Sequence, residues 1–192
     1  DTGAMYRAMA LYFLRQGIDK TDENAINAVL DKVEITIRYE NGAQQVILNG
    51  RDVSGKIRTE AVGNAASVVS AYRAVRQALL ALQQNLAKTS NVIMDGRDIG
   101  TVVFPDAELK LFVTASPEVR AKRRVDELEA KGIPASYEEV LENVKKRDYI
   151  DSTREESPLR QADDALVLDN SHMTLDEQKA WLLEQYHKAI GS

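Results

Sequence analysis

Cysteine is absent from the 192 residues, which excludes disulfides, thiolate metal sites and a cysteine nucleophile and permits a reducing compartment. Histidine is nearly absent too: His172 and His187 both lie near the C-terminus and cannot supply a histidine metal cage. No apolar run is long enough to span a bilayer, and no basic-then-apolar leader opens the chain. These absences point to the cytoplasm and away from a membrane. Cationic excess is missing as well. With 25 Lys and Arg against 30 Asp and Glu, the net charge of -5 argues against a broad nucleic-acid or acidic-membrane surface. Any phosphate site would have to be local. What remains is 44% hydrophobic, enough for a buried core in one domain or one domain with a small insert.

The focal stretch is Asn91 to Thr101, N-V-I-M-D-G-R-D-I-G-T. Val92, Ile93 and Met94 form a short unbroken apolar run, as expected for a strand buried on both faces of a parallel sheet. Asp95 and Gly96 end it. Arg97 and Asp98 then stand where the carboxyl end of such a strand opens into a ligand crevice. A solvated turn after a core strand is the competing reading.

Around this stretch the chain alternates in period. Ala4 to Arg15 reads as a helix with Thr2 as its cap and Gly17 closing it, and Thr21 as the cap of a second helix running to about Leu30. Val33, Ile35, Ile37 and Tyr39 alternate with polar residues, and Val46-Ile47-Leu48 follows. Asn-Gly pairs at 41–42 and 49–50 predict tight turns, hence a small antiparallel meander inserted in the fold. Thr59 to Lys88 returns to helical spacing, with an apolar stripe from Val62 to Leu86 and with Ser67, Tyr72, Arg73 and Arg76 on its other side. Leu109 to Ala115 and Ala165 to Leu168 read as further core strands. Between them lie a helix capped by Ser116 with Pro117 first, and another opened by the box Ser136 to Glu139; Thr174 to Glu177 opens the last helix. Strands alternating with helices imply an α/β domain with a mostly parallel sheet.

Gly50 to Lys56 fits the phosphate loop G-x-x-x-x-G-K, but Ile57 follows where Ser or Thr must hold magnesium, and Asp52 would put a carboxylate among phosphates. It is rejected as a phosphate loop. Arg147, Asp151 and Arg154 fall at i, i+4 and i+7 on one predicted helix face. Ten basic and ten acidic residues between Arg120 and Arg160 leave an ordinary solvated face open as the alternative. With Arg97, and with Arg120, Lys122, Arg123 and Arg124, that face could instead converge on a polyphosphate.

The segments D-T-G-A-M-Y-R, D-V-S-G-K-I-R-T, N-A-A-S-V-V-S, M-D-G-R-D-I-G-T-V-V-F-P-D-A, A-K-R-R and R-D-Y-I-D-S-T-R occur in one order, and in that order the chain resembles bacterial-type cytidylate kinases over essentially its whole length. The resemblance implies a P-loop nucleoside monophosphate kinase-like α/β fold: a parallel sheet flanked by helices, a small antiparallel NMP-binding insert and a helical lid. It divides the chain into core (1–30), insert (31–67), core (68–116), lid with flanking helices (117–158) and C-terminal core (159–192). It also implies that a strand, phosphate loop and helix would precede Asp1, that two sheet edges would stand exposed without them, and that this chain could be inactive as it stands.

The implied reaction moves the terminal phosphoryl of ATP onto CMP or dCMP, with Mg2+ as cofactor. The resemblance assigns the acceptor phosphate to Arg7, Arg97 and Arg147, with Thr2 and Tyr6 lining the pocket. Cytosine falls to Ser67, Arg76 and Asp98, the sugar hydroxyls to Asp151 beside Arg154, and the ATP phosphates to Arg123 and Arg124. The resemblance gives the catalytic assignment to Arg97, Arg124, Arg147 and Asp95, with Asp95 acting on magnesium through water and no direct protein ligand to the metal. CMP, dCMP and ATP are the partners expected, with no nucleic acid, membrane or obligatory protein partner. The alternatives are a CMP-binding chain without turnover, a kinase for another acceptor such as UMP, and an inert structural fragment.

Overall fold

The computed structural model describes residues 1–88 and 91–191, which form two compact units: Asp1–Ile99 with Ile150–Leu159, and Gly100–Tyr149 with Arg160–Ser192, the last residue lying outside the described ones.

The first unit is built on α1 (Gly3–Arg15), which packs against α3 (Glu60–Val69) and the meander strand β2 (Ala43–Leu48). Close approach of these helices suits their small side chains, since Ala4, Ala8 and Ala10 of α1 and Gly63, Ala65 and Ala66 of α3 are all buried. Larger apolar groups fill the rest of the core: Met5, Met9 and Phe13 with Ile26, Val53, Ile57, Val69, Val75 and Leu79. Thr2 does not cap α1. Its backbone is already helical and its hydroxyl makes no capping bond; that hydroxyl donates to the carbonyl of Asp95 at 2.7 Å, while Asp1 accepts from the amide of Ala4. The second helix, α2 (Glu23–Asn27), is likewise capped by Asp22 rather than Thr21, and it stops early, giving way to a 3-10 turn at Leu30–Lys32.

The meander forms as its turn residues require. β1 (Ile35–Glu40) pairs antiparallel with β2 from Ile35 opposite Leu48 to Glu40 opposite Ala43, and β2 pairs with the short β3 (Arg51–Asp52). Asn41 and Gly42, then Asn49 and Gly50, all take positive φ, the backbone of a two-residue turn whose twist matches its strands. The dry face of β1 is confined to its start, for Ile35 is buried and Tyr39 is exposed. Asp52 accepts from the amide and hydroxyl of Ser54 and Ile57 is buried, so the segment rejected as a phosphate loop is a hairpin return.

Thr59 to Lys88 is two helices, α3 and α4 (Arg73–Leu86), broken at Ser70–Tyr72. Ser70 bonds back to the carbonyl of Ser67, a local competitor for helical bonding. The break rotates α4 so that Val75, Arg76, Leu79 and Gln83 form its buried side. Arg76 therefore sits on the inner face, not the solvent face.

The expected strand at Val92–Met94 is absent. Among the described residues no strand pairs with it, and Ile93 is 100% exposed. A short apolar run suits a buried strand only when neighbours supply hydrogen bonds on its flanks, and local pattern does not report those neighbours. The stretch is anchored instead at its end, where the Asp95 carbonyl accepts from the amide of Thr2 at 3.0 Å as well as from its hydroxyl.

In the second unit β4 (Leu111–Thr114) and β5 (Leu166–Asp169) pair in parallel, giving an α/β arrangement with α5 (Pro117–Ala130), α7 (Leu175–Ile190) and α6 (Tyr137–Thr153) up to Tyr149, the end of α6 belonging to the first unit. The strands are less buried than core strands should be. Val113, Leu166 and Val167 are exposed and of β5 only Leu168 is fully covered, because among the described residues each strand has one neighbour. The predicted caps hold: Ser116 accepts from the amide of Val119 with Pro117 following, and Thr174 and Glu177 form a reciprocal capping box. Ser136 accepts from the amide of Glu139, but its hydroxyl turns to the side chain of Glu138.

Candidate functional site

The loop after Met94 places the first charged groups. Gly96 is required there by close approach: a Cβ would stand 2.4 Å from the Thr2 hydroxyl and 2.9 Å from the Ile99 side chain. Gly96→Ala is expected to lower stability by about 1–3 kcal/mol and to displace Arg97 and Asp98. Urea unfolding and CMP titration check this; an unchanged midpoint would contradict the geometry.

Asp98 follows directly and is buried, 5% exposed, against Arg76, 7% exposed, with which it forms an ion pair. Arg76 also donates to the carbonyl of Ser70 at 3.0 Å and lies over the ring of Tyr6, 5.0 Å from its centre. Burial pushes the Tyr6 phenol above its ordinary range, with the charge of Arg76 opposing, so Tyr6 stays protonated at neutral pH. Gln83 lies near that phenol and favours its ionised form slightly. Gln83 is 1% exposed, yet its Nε2 makes no hydrogen bond of good geometry.

The end of α6 supplies the second pair. Asp151 is buried and accepts from Arg97 Nε at 2.9 Å and from Arg154 at 3.4 Å. Arg154, just past the helix, is buried as well, donating to the Ser70 hydroxyl at 3.0 Å and twice to the carbonyl of Ser157. Burial, reinforced by the charge of Arg76, lowers the Arg154 pKa, while Asp151 and Asp98 oppose that shift. Arg76, Arg97 and Arg154 against Asp98 and Asp151 leave one positive charge in excess. The solvated-face reading of α6 thus fails at its C-terminal end.

The remaining predicted residues divide between the units. Thr2 and Ser67 are buried in the first, and Arg7 is half-buried there, donating to the carbonyl of Ile57 at 3.2 Å. Asp95 keeps its side chain mostly in solvent. Arg147 belongs to the second unit, as do Arg120, which pairs with Asp148, and Arg123, which donates to the side chain and carbonyl of Asn170. Among the described residues no group of three or more acidic or histidine side chains is arranged to hold a metal.

Arg124 is turned along its own helix to Glu127, at 2.8 Å. Hydrogen bonds from Lys131 and then Arg124 hold the Glu127 carboxyl down at about 2, from 4.5. A folded pKa below the unfolded one stabilises the fold at pH above about 4.5, and that contribution disappears as pH falls towards about 2. Because the pair is solvent-screened, Glu127→Gln should cost less than about 1 kcal/mol at neutral pH, and that cost should vanish as pH falls through about 2. Unfolding midpoints along an acid series test the sign.

Two polar residues escaped the sequence reading. Ser70 closes the N-A-A-S-V-V-S segment, but no role falls to it there. Gln83 did carry a signal, being a polar residue in the apolar stripe, i+7 from Arg76.

A buried cluster of arginines and carboxylates adds little to stability, since desolvation consumes most of its Coulombic gain, and such a cluster is a candidate functional site. The second unit is an α/β arrangement, and the first gathers arginines and carboxylates in one buried cluster. The chain belongs to the cytidylate kinase family, whose sequence model matches residues 1–188. A cytidylate kinase of Parabacteroides distasonis is 68% identical to all of the chain, over 86% of its own length. Those of Bacteroides fragilis and Caldicellulosiruptor saccharolyticus are 54% and 49% identical, covering 99% and 100% of this chain and 85% of their own lengths. It is therefore a nucleoside monophosphate kinase by family.

Proposed function

We propose that this chain carries the acceptor site of an enzyme that moves the terminal phosphoryl of ATP to CMP or dCMP, releasing ADP and CDP or dCDP. The observation that carries this reading is the buried Arg76–Asp98 pair standing beside Asp151 and Arg154. Cytosine offers an N4 amino donor with N3 and O2 acceptors, which a carboxylate and a guanidinium complement. Uracil offers an acceptor where cytosine has that donor and would face Asp98 unfavourably. Ser67 lines the base, and Asp151 with Arg154 takes the sugar hydroxyls. Arg7, Arg97 and Arg147 receive the acceptor phosphate, with Thr2 and Tyr6 alongside.

Phosphoryl transfer asks the protein mainly for positioning and for cations around the equatorial oxygens. Arg97 and Arg147 supply these on the acceptor side, Arg123 and Arg124 on the donor side. That role requires Arg124 to exchange Glu127 for phosphate. The P-loop kinase architecture belongs to the same reading, although no segment of the 192 residues matches G-x-x-x-x-G-K-[ST]. The exposed carboxylate of Asp95 suits magnesium, which is commonly held by one or two carboxylates, waters and substrate phosphates. The metal would neutralise charge on the phosphates.

Calorimetric titration with CMP and with UMP, followed by an assay for CDP with ATP and magnesium, tests the reading. CMP should bind at least about tenfold more tightly than UMP. Equal binding, or binding of neither, would overturn it. CMP binding without CDP formation would favour the reading in which the chain binds CMP without turnover.

A further inference from the structure

We infer that Ser70 is a positioning residue that fixes Arg154 against Arg76 and so sets the register between the sugar-binding and base-reading parts of the acceptor site; this rests on the acceptor-site reading above. Ser70 is buried at the C-cap of α3. In a continuous helix its carbonyl would accept from the amide four residues on. The helix breaks here, and the carbonyl accepts from Arg76 NH1 at 3.0 Å instead. Its hydroxyl meets NH1 of Arg154, 84 residues away in sequence, at 3.0 Å. A guanidinium can only donate, so the hydroxyl must accept from Arg154, leaving its own proton for the Ser67 carbonyl, which stands 3.0 Å away. Every role of the residue is thus determined by its neighbours.

The chemistry explains why a neutral group suits this place. Two guanidiniums held this close need an acceptor between them, and Asp98 and Asp151 already nearly balance the cluster. A third carboxylate would cancel the one positive charge in excess and with it the cluster's attraction for a phosphate ester. Asp151 holds the same nitrogen of Arg154 only at 3.4 Å. Ser157 holds the opposite edge of that guanidinium. The Ser70 hydroxyl is therefore the short contact on the side facing Asp151, and its loss would leave Arg154 free to turn about its Ser157 bonds. The carbonyl grip on Arg76 would survive that loss.

Ser70→Ala separates the two functions, because it deletes the hydroxyl and keeps the carbonyl. CMP, dCMP and UMP are titrated into the parent chain and the variant, with circular dichroism and urea unfolding alongside. We expect the CMP affinity of Ser70→Ala to fall about tenfold, a loss in the range for one bond to a charged group. The preference for CMP over dCMP should narrow while the preference for CMP over UMP holds. Ser70→Thr, which keeps a hydroxyl, should restore the sugar preference. If Ser70→Ala does not fold, Ser70→Cys, of similar volume but a poor acceptor, is measured in its place. An unchanged CMP to dCMP ratio, or an equal narrowing of both ratios, would overturn the inference while leaving the acceptor site standing. A parent chain that binds no CMP would instead remove the reading on which it rests.

Discussion

Replacing Asp98 with alanine is expected to weaken CMP binding and to erase the preference for cytosine over uracil. In the proposed acceptor site the carboxylate would complement the N4 amino group, so its loss should reduce CMP affinity by about 1–3 kcal/mol while UMP, which lacks that donor, loses little. Stability should fall too, because Arg76 would remain buried without its charged partner. Breaking a buried pair by removing one side costs about 3–5 kcal/mol, and the value here should lie at the lower end, since Arg76 keeps the Ser70 carbonyl and the Tyr6 ring. Urea unfolding measures the second effect and paired CMP and UMP titrations the first. Equal losses for the two nucleotides in a folded variant would show that Asp98 supports the fold without reading the base.

Asp151→Ala should act on the other half of the site. It removes the acceptor shared by Arg97 and Arg154 from a buried position. Arg154 retains Ser70 and Ser157, so the loss of stability should be smaller, about 1–3 kcal/mol. The specific consequence lies in the sugar: CMP should lose more affinity than dCMP, whose missing hydroxyl has nothing to lose. Titration of both nucleotides decides it. A uniform loss across CMP and dCMP would mean that Asp151 serves only to hold Arg97 and Arg154. The same pair of ligands reads out the Ser70 substitution, so the two variants together apportion the sugar preference between the carboxylate and the group that orients its neighbour.

Much of the site was visible before any coordinates. Arg97 and Asp98 stand in one motif, and Asp151 and Arg154 in another; the structure brings both pairs into the first unit. The tight turns of the meander were equally visible, because Asn-Gly specifies its backbone through φ at two adjacent residues. The failures share a cause. Val92–Met94 has the composition of a buried strand but no partner strand among the described residues, and pairing is a long-range event. Arg76 was placed on the solvent side because the helix break at Ser70–Tyr72, which turns it inward, has no glycine or proline to announce it. Residue type alone makes Thr2 and Thr21 caps. Tertiary bonding took the first hydroxyl to the Asp95 carbonyl, and a neighbouring aspartate supplied the second cap.

Sequence by itself determined the family, the turn chemistry and most helix starts, and it named the candidates for base reading and sugar binding, all of which depend on residues close together or on motifs of fixed order. Only the tertiary structure decided which charges are buried, which carboxylate each arginine meets, and that the serine closing the N-A-A-S-V-V-S segment holds two of those arginines. Those outcomes depend on desolvation and on contacts between residues as far apart as Ser70 and Arg154, and neither is written in local periodicity.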